Sequence, residues 1–177
     1  MKKVLITTLV VLGLFLIPAK SVSGSAVVAN QSATIKSQKS SNIDGDYRNL
    51  ILKSYLESYD SPLAEYSEEL IFQADKYDID WRLVAAISGV ESTFGKRIPA
   101  NSYNAYGWAN GAYHFQGWED SIEIVSKTLR EKYYDKGAED IYAIGRRYAP
   151  PSSTWAYKVK GFMEKIDSIG LPFTLES

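Results

Sequence analysis

The chain has 177 residues, room for one domain and an appended segment, with 45% hydrophobic and 23% charged residues as in ordinary globular proteins. Its net charge of −1 lacks the basic excess that a nucleic-acid binder would show. It has no cysteine and one histidine, His114, which excludes disulfides, thiol nucleophiles and zinc sites built on Cys or paired His. No metal or cofactor is expected, any Ser-His-acid triad would have to use His114, and carboxylates and tyrosines remain for acid–base work.

Residues 1–29 have the pattern of an export signal: Lys2 and Lys3, an apolar run over 4–17, Pro18, and then small residues with cleavage expected after Ala26 or Ala29. The run falls short of the ~20 apolar residues that span a bilayer, so removal is expected, the alternative being an uncleaved N-terminal anchor. Either way the remainder is expected in the cell envelope or secreted, touching a membrane only through this segment if it is kept. Loss of Lys2, Lys3 and Lys20 with it lowers the net charge from −1 to −4. Residues 30–45, rich in Ser, Gln, Lys and Asn, are expected to be a disordered linker. No internal repeat is visible.

From Asp46 the apolar spacing becomes helical. Tyr47, Leu50, Ile51, Tyr55 and Tyr59 predict a leading helix within 46–60. Ser61-Pro62 is a helix start, a capping serine followed by proline at the first helical position, and Leu63, Tyr66, Leu70 and Ala74 continue it to about Tyr77. Asp80 can cap a third helix over 81–94 that stops at Gly95. Residues 99–117 show no helical period and are expected as loops or a small β-hairpin. Trp118, Ile122, Val125, Leu129 and Tyr133 mark the next helix, ending near Gly137. A short helix over 139–147 is broken by Pro150-Pro151, and a last one, capped by Ser152 or Ser153, carries Trp155, Val159, Phe162 and Ile166. The expected fold is mainly α, with one irregular aromatic insertion and residues 171–177 as a tail.

Wound at about 100° per residue, the third helix places Val90, Leu83, Phe94, Ile87 and Val84 on one face, and Glu91 falls between Ile87 and Val84. A carboxyl on a core-facing stripe, at the negative end of a helix dipole, is favoured in its protonated form. Such an acid is what a glycosidic oxygen needs before it can leave. The competing expectation is a structural glutamate paired with Lys96 or Arg97.

Glu91-Ser92-Thr93-Phe94-Gly95-Lys96 resembles the Glu-Ser-x-aromatic-Gly-Lys segment of the glucosaminidase family of bacterial peptidoglycan hydrolases, in the lysozyme-like superfamily. Further segments follow in that family's order: Asn104-Ala105-Tyr106-Gly107, then 115–122, then Tyr148-Ala149-Pro150 with 155–159. The resemblance covers about residues 70–166 and implies a lysozyme-like helical domain over 61–170 whose small lobe forms a cleft. It implies an enzyme cutting β-1,4 bonds between N-acetylglucosamine and N-acetylmuramic acid, with Glu91 as general acid. Tyr148 matches a cleft tyrosine near the scissile bond, which would orient the substrate N-acetyl group or stabilise developing positive charge; the alternative is a core tyrosine beside Pro150. Asn104 and Tyr106 would hold substrate by hydrogen bonds and packing.

Many relatives supply a second carboxylate about 5–9.5 Å from the first, but no Asp or Glu occurs between Glu91 and Glu119. Glu119 and Asp120 suit the first turn of their own helix. Attack by the substrate's N-acetyl oxygen, Glu91 acting as acid and then base to give an anhydro-sugar, and a more distant acid all stay open, a single-glutamate mechanism being favoured. Tyr103, Tyr106, Trp108, Tyr113, Phe115 and Trp118 offer faces for sugar stacking without the basic groove that phosphates require. Trp108 is the leading stacking candidate, Tyr113 stands with it, and Phe115 and Trp118 are assigned to the insertion's own core. The expected partner of this monomer is the peptidoglycan glycan strand; a catalytically silent glycan-binding module is the alternative.

Overall fold

A computed structural model describes residues 46–170. The expected signal over 1–29, the linker over 30–45 and the tail over 171–177 lie outside the described residues. Within them the protein is mainly α, and no strand occurs. None of the described helices is long and apolar enough to cross a membrane.

Helix α1, Tyr47–Glu57, starts where the Asp46 carboxylate accepts the Arg48 N–H. Its buried face is Ile51, Leu52, Tyr55 and Leu56, whereas Tyr47 and Leu50 are exposed. The apolar stripe expected from the sequence is therefore rotated. Leu52 and Leu56, one turn apart, set the packed side, and Tyr47 and Leu50 fall away from it. Ser61 caps the next element as expected, its Oγ accepting the Leu63 N–H at 3.0 Å. That element opens as a 3-10 turn, Pro62–Tyr66, before becoming α2, Ser67–Lys76.

Helix α3, Leu83–Ser92, organises the rest. All residues from Leu83 to Gly89 are buried, so the helix is enclosed on every side. It packs chiefly on α6, Trp155–Asp167, and also touches α2 and α4, Trp118–Thr128. The Asp80 carboxylate caps the turn leading into it, accepting the Arg82 N–H at 2.9 Å.

The end of α3 sets up the site. Thr93 and Phe94 both adopt left-handed backbone, with φ of 54° and 55°, and Gly95 follows at 81°. Two successive non-glycine residues in that region cost about 1–3 kcal/mol each. The turn swings Phe94 into the core, where its ring lies 4.5 Å from Tyr59, 5.0 Å from Phe162 and 5.6 Å from Tyr55. Burying a phenylalanine stabilises by about 1.5–3 kcal/mol, and its aromatic contacts add to that. Gly89 makes the space, since a Cβ there would sit 2.6 Å from the Phe94 ring. The turn is held at both ends: Ser61 Oγ donates to the Phe94 carbonyl at 2.8 Å, and Ser92 Oγ accepts the Gly95 N–H at 2.8 Å.

Residues 99–117 hold no β-hairpin; they form turns and one short 3-10 turn, Trp108–Gly111. Strand pairing is unnecessary because a side chain, Asn104, satisfies the backbone there. After α4 the helix widens into a π turn, Leu129–Tyr133, tightens at Tyr134–Lys136, and ends on Gly137 at φ 79°. Helix α5, Ile141–Tyr148, is capped by Asp140, whose carboxylate accepts the Tyr142 and Ala143 N–H groups at 2.8 Å. Before α6, Ser152 Oγ accepts the Trp155 N–H at 3.1 Å, and Ser153 plays no such part.

Candidate active site

The 106–113 loop, the end of α4 with the π turn after it, and the end of α5 line one groove of about 580 Å³. Its lining includes Gly107, Trp108, Tyr113, Thr128, Tyr133 and Tyr148. Glu91 stands against it: a Cβ built on Gly107 would lie 2.7 Å from Glu91 Oε2 and 3.4 Å from its Cδ. The other oxygen, Oε1, accepts the indole N–H of Trp155 at 2.7 Å.

Glu91 is exposed, which corrects the buried position expected from the helical wheel. Its angle is that of Ile87 and Val84, but its height along the axis is not. Ile87 and Val84 lie among core side chains, whereas Glu91, in the final turn, has passed the end of the core and lies beside Gly107. Angle alone cannot reveal this. Neither Lys96 nor Arg97 holds it; its hydrogen-bond partner among the described residues is Trp155.

Tyr148 ends α5 with its ring stacked on Trp155, centroids 4.8 Å apart and planes 22° apart. Its hydroxyl donates to the Tyr106 carbonyl at 2.6 Å. Burial first, and then the neighbouring Glu91 charge, push this phenol well above its ordinary value. Tyr148 is therefore a neutral hydroxyl whose proton is engaged and which also receives the Trp108 side chain, leaving one lone pair to accept. The structure brings it together with Glu91 through Trp155.

Asn104 and Tyr106 are placed differently from the expectation that they touch substrate directly. Asn104, 3% exposed, gives its amide N–H groups to the Trp108 and Tyr113 carbonyls at 2.9 and 3.1 Å. Its oxygen accepts the Trp108 N–H at 3.1 Å and the Tyr106 N–H at 3.4 Å. A primary amide has no further donor, so Asn104 shapes the loop. The Tyr106 side chain is fully buried, with its hydroxyl pushed far up by desolvation. Its backbone carbonyl, which receives Tyr148, is what it presents to the site.

Trp108 is half-buried and Tyr113 is 42% exposed, their rings 5.8 Å apart and each resting on buried Phe115. Both line the groove. Trp118, half-buried, packs on Tyr103 and Tyr66. His114 is exposed. Asp120 accepts the Gln116 N–H at 2.9 Å, and neither it nor Glu119 lines the groove. Two residues of the groove, Thr128 and Tyr133, and the Glu91 partner Trp155 are not singled out as site residues by the sequence. Tyr133 and Trp155 sit at helical apolar positions and resemble core residues. For Trp155 the available signal is its N–H, since a buried indole usually finds an acceptor.

Five tyrosines give the fold an alkaline limit. Tyr55, Tyr106, Tyr133, Tyr134 and Tyr148 are all raised above the ordinary value of 10.0, each chiefly by burial. The unfolded chain loses these protons first, so stability is intact below about pH 10 and falls as pH rises beyond it. Thermal midpoints should drop steeply above about pH 10, and phenolate absorbance should grow in step with loss of helical circular dichroism. Full ionisation of the tyrosines with helicity retained would contradict this.

No protein-family model, curated protein or solved structure matches the chain. The groove offers neutral hydroxyls and aromatic faces, and one carboxyl, that of Glu91, lies beside its Gly107. It has no lysine or arginine in its lining, and among the described residues no three His, Cys, Asp or Glu side chains gather as a metal site would require.

Proposed function

We propose that the protein is an exported enzyme that cuts the β-1,4-linked glycan of peptidoglycan, with Glu91 donating a proton to the glycosidic oxygen. The observation that carries this is the pairing of one acid with one aromatic groove. Glu91 is held through Oε1 by Trp155 and presents Oε2 at Gly107, beside Tyr148 and an open channel. Export follows from the pattern of residues 1–29, and the peptidoglycan substrate from the resemblance of 91–96 and the three later segments to the glucosaminidase family.

A sugar chain is a suitable occupant. Trp108 and Tyr113 offer rings against which pyranose C–H faces pack, and an uncharged polymer needs no cations. Tyr148 Oη, with its own proton on the Tyr106 carbonyl, can accept the N–H of a substrate acetamide and so orient that group.

The reaction then runs on one protein acid. As the anomeric C–O bond breaks, the leaving oxygen takes the Glu91 proton, and an internal nucleophile of the substrate bonds to the anomeric carbon. An acetamide oxygen gives a cyclic intermediate. Glu91, now a carboxylate, takes a proton from the water that opens it, and the product has a reducing end. A sugar hydroxyl instead loses its proton to Glu91 and leaves an anhydro end. The groove lining holds no Asp or Glu to act beside Glu91, which favours these routes over a two-acid mechanism.

The test is digestion of purified peptidoglycan by the mature protein, with mass spectrometry of the soluble fragments. Disaccharide-peptides with reducing or anhydro ends are expected. Sedimentation with the walls but no soluble fragments would replace the enzyme by a catalytically silent glycan-binding module. Neither binding nor release would overturn both.

A further inference from the structure

The two oxygens of Glu91 have different surroundings. Oε1 faces the indole N–H of Trp155 at 2.7 Å. Oε2 lies on the Gly107 side, 2.7 Å from where a Cβ would stand on that glycine. An indole nitrogen donates and cannot accept. The oxygen in front of it must therefore turn a lone pair toward it, whether the carboxyl is ionised or neutral. In the neutral acid the carbonyl oxygen is the stronger acceptor, so the indole favours the form with the proton on Oε2, on the Gly107 side.

Trp155 is well fixed for this task. It is 4% exposed, stacked on Tyr148 and anchored by its backbone N–H on Ser152 Oγ. Its six-membered ring lies against Gly145, where a Cβ would come within 3.1 Å. Glu91, by contrast, is exposed and on its own would sample several rotamers, with the proton on either oxygen.

We propose that Trp155 is a positioning residue: its N–H holds Oε1 and thereby assigns the transferable proton of Glu91 to Oε2, facing the bond to be cut. This rests on the catalytic role of Glu91 proposed above. The sequence places Trp155 on the apolar stripe of α6, and the geometry adds a second task to its packing.

The sharpest test replaces Trp155 with 3-benzothienylalanine, which keeps the bicyclic shape and exchanges the ring N–H for sulfur. Loss of one charge-assisted hydrogen bond should lower kcat roughly 10-fold with KM held. Unchanged kcat would overturn the assignment. A second measurement needs no activity: the indole N–H resonance of Trp155 should lie downfield, as for a hydrogen-bonded donor, in the wild type and move upfield in Glu91→Ala. If the wild type releases no glycan fragments, the catalytic reading falls, and with it the task assigned to Trp155, while the resonance still decides whether the indole holds Oε1. A resonance indifferent to Glu91 overturns the inference whatever the activity.

Discussion

Glu91→Gln should lower release of soluble glycan by about 10²–10⁴-fold, the span that a positioned general acid contributes, and should leave the fold as it is. The two halves of that expectation have separate causes. Glutamine keeps the volume and an oxygen that can accept the Trp155 N–H, so the 2.7 Å bond has a successor. It cannot give up a proton to a leaving oxygen. Because Glu91 is exposed at the end of α3, no buried charge is created or removed, and surface changes of this kind stay within about 0.5 kcal/mol. Activity measured on purified peptidoglycan and a thermal melt of the same preparation would check both. A variant that digests within tenfold of the wild type would remove Glu91 from the chemistry.

Gly107→Ala should be nearly as damaging, for a steric reason. The new methyl would stand 2.7 Å from Glu91 Oε2 and 3.4 Å from Cδ, closer than carbon and oxygen tolerate, so the carboxyl must swing away. A misplacement of about 1 Å at a reacting group can cost about 10²-fold in rate. The substitution also forces a side chain onto backbone with φ of 73°, which destabilises by about 1 kcal/mol. The two effects can be told apart. If the loss of rate merely reflected unfolding, lowering the assay temperature would restore it; displacement of the acid predicts a loss in kcat that persists where the variant is fully folded. Wild-type kcat in Gly107→Ala would mean that Oε2 is not where the proton transfer happens.

The helices were legible because each carries its own punctuation. Ser61-Pro62, Asp80 and Gly137 stop or start elements by local chemistry, and local chemistry survives in a single chain. The 99–117 segment was legible only as non-helical. Its glycines and aromatics suit a hairpin as well as a loop, and the choice was made by Asn104, whose one amide satisfies three neighbouring residues. Such a side-chain solution leaves no periodic trace. The site divided along the same line. Glu91 could be singled out from its helical angle and its motif, but its exposure depends on where the core ends, a property of several elements together. Tyr148 could be paired with a motif; that its proton is engaged by the Tyr106 carbonyl could not. Trp155 was hidden because an indole in a stripe of Val159, Phe162 and Ile166 looks like packing, and it is packing, with one hydrogen left over.

The single amide of Asn104 has a consequence for how this channel could change. It ties down both ends of the stretch from Trp108 to Tyr113, so the loop tip at Ala109, Asn110 and Ala112, all outward-facing, contributes no side-chain hydrogen bond of its own. A span stapled at its feet can have its crest rewritten without loosening the base. Under the proposed function the tip of this wall is a tunable cuff, where side-chain replacements should alter which polymer is gripped while Glu91 beneath stays in register.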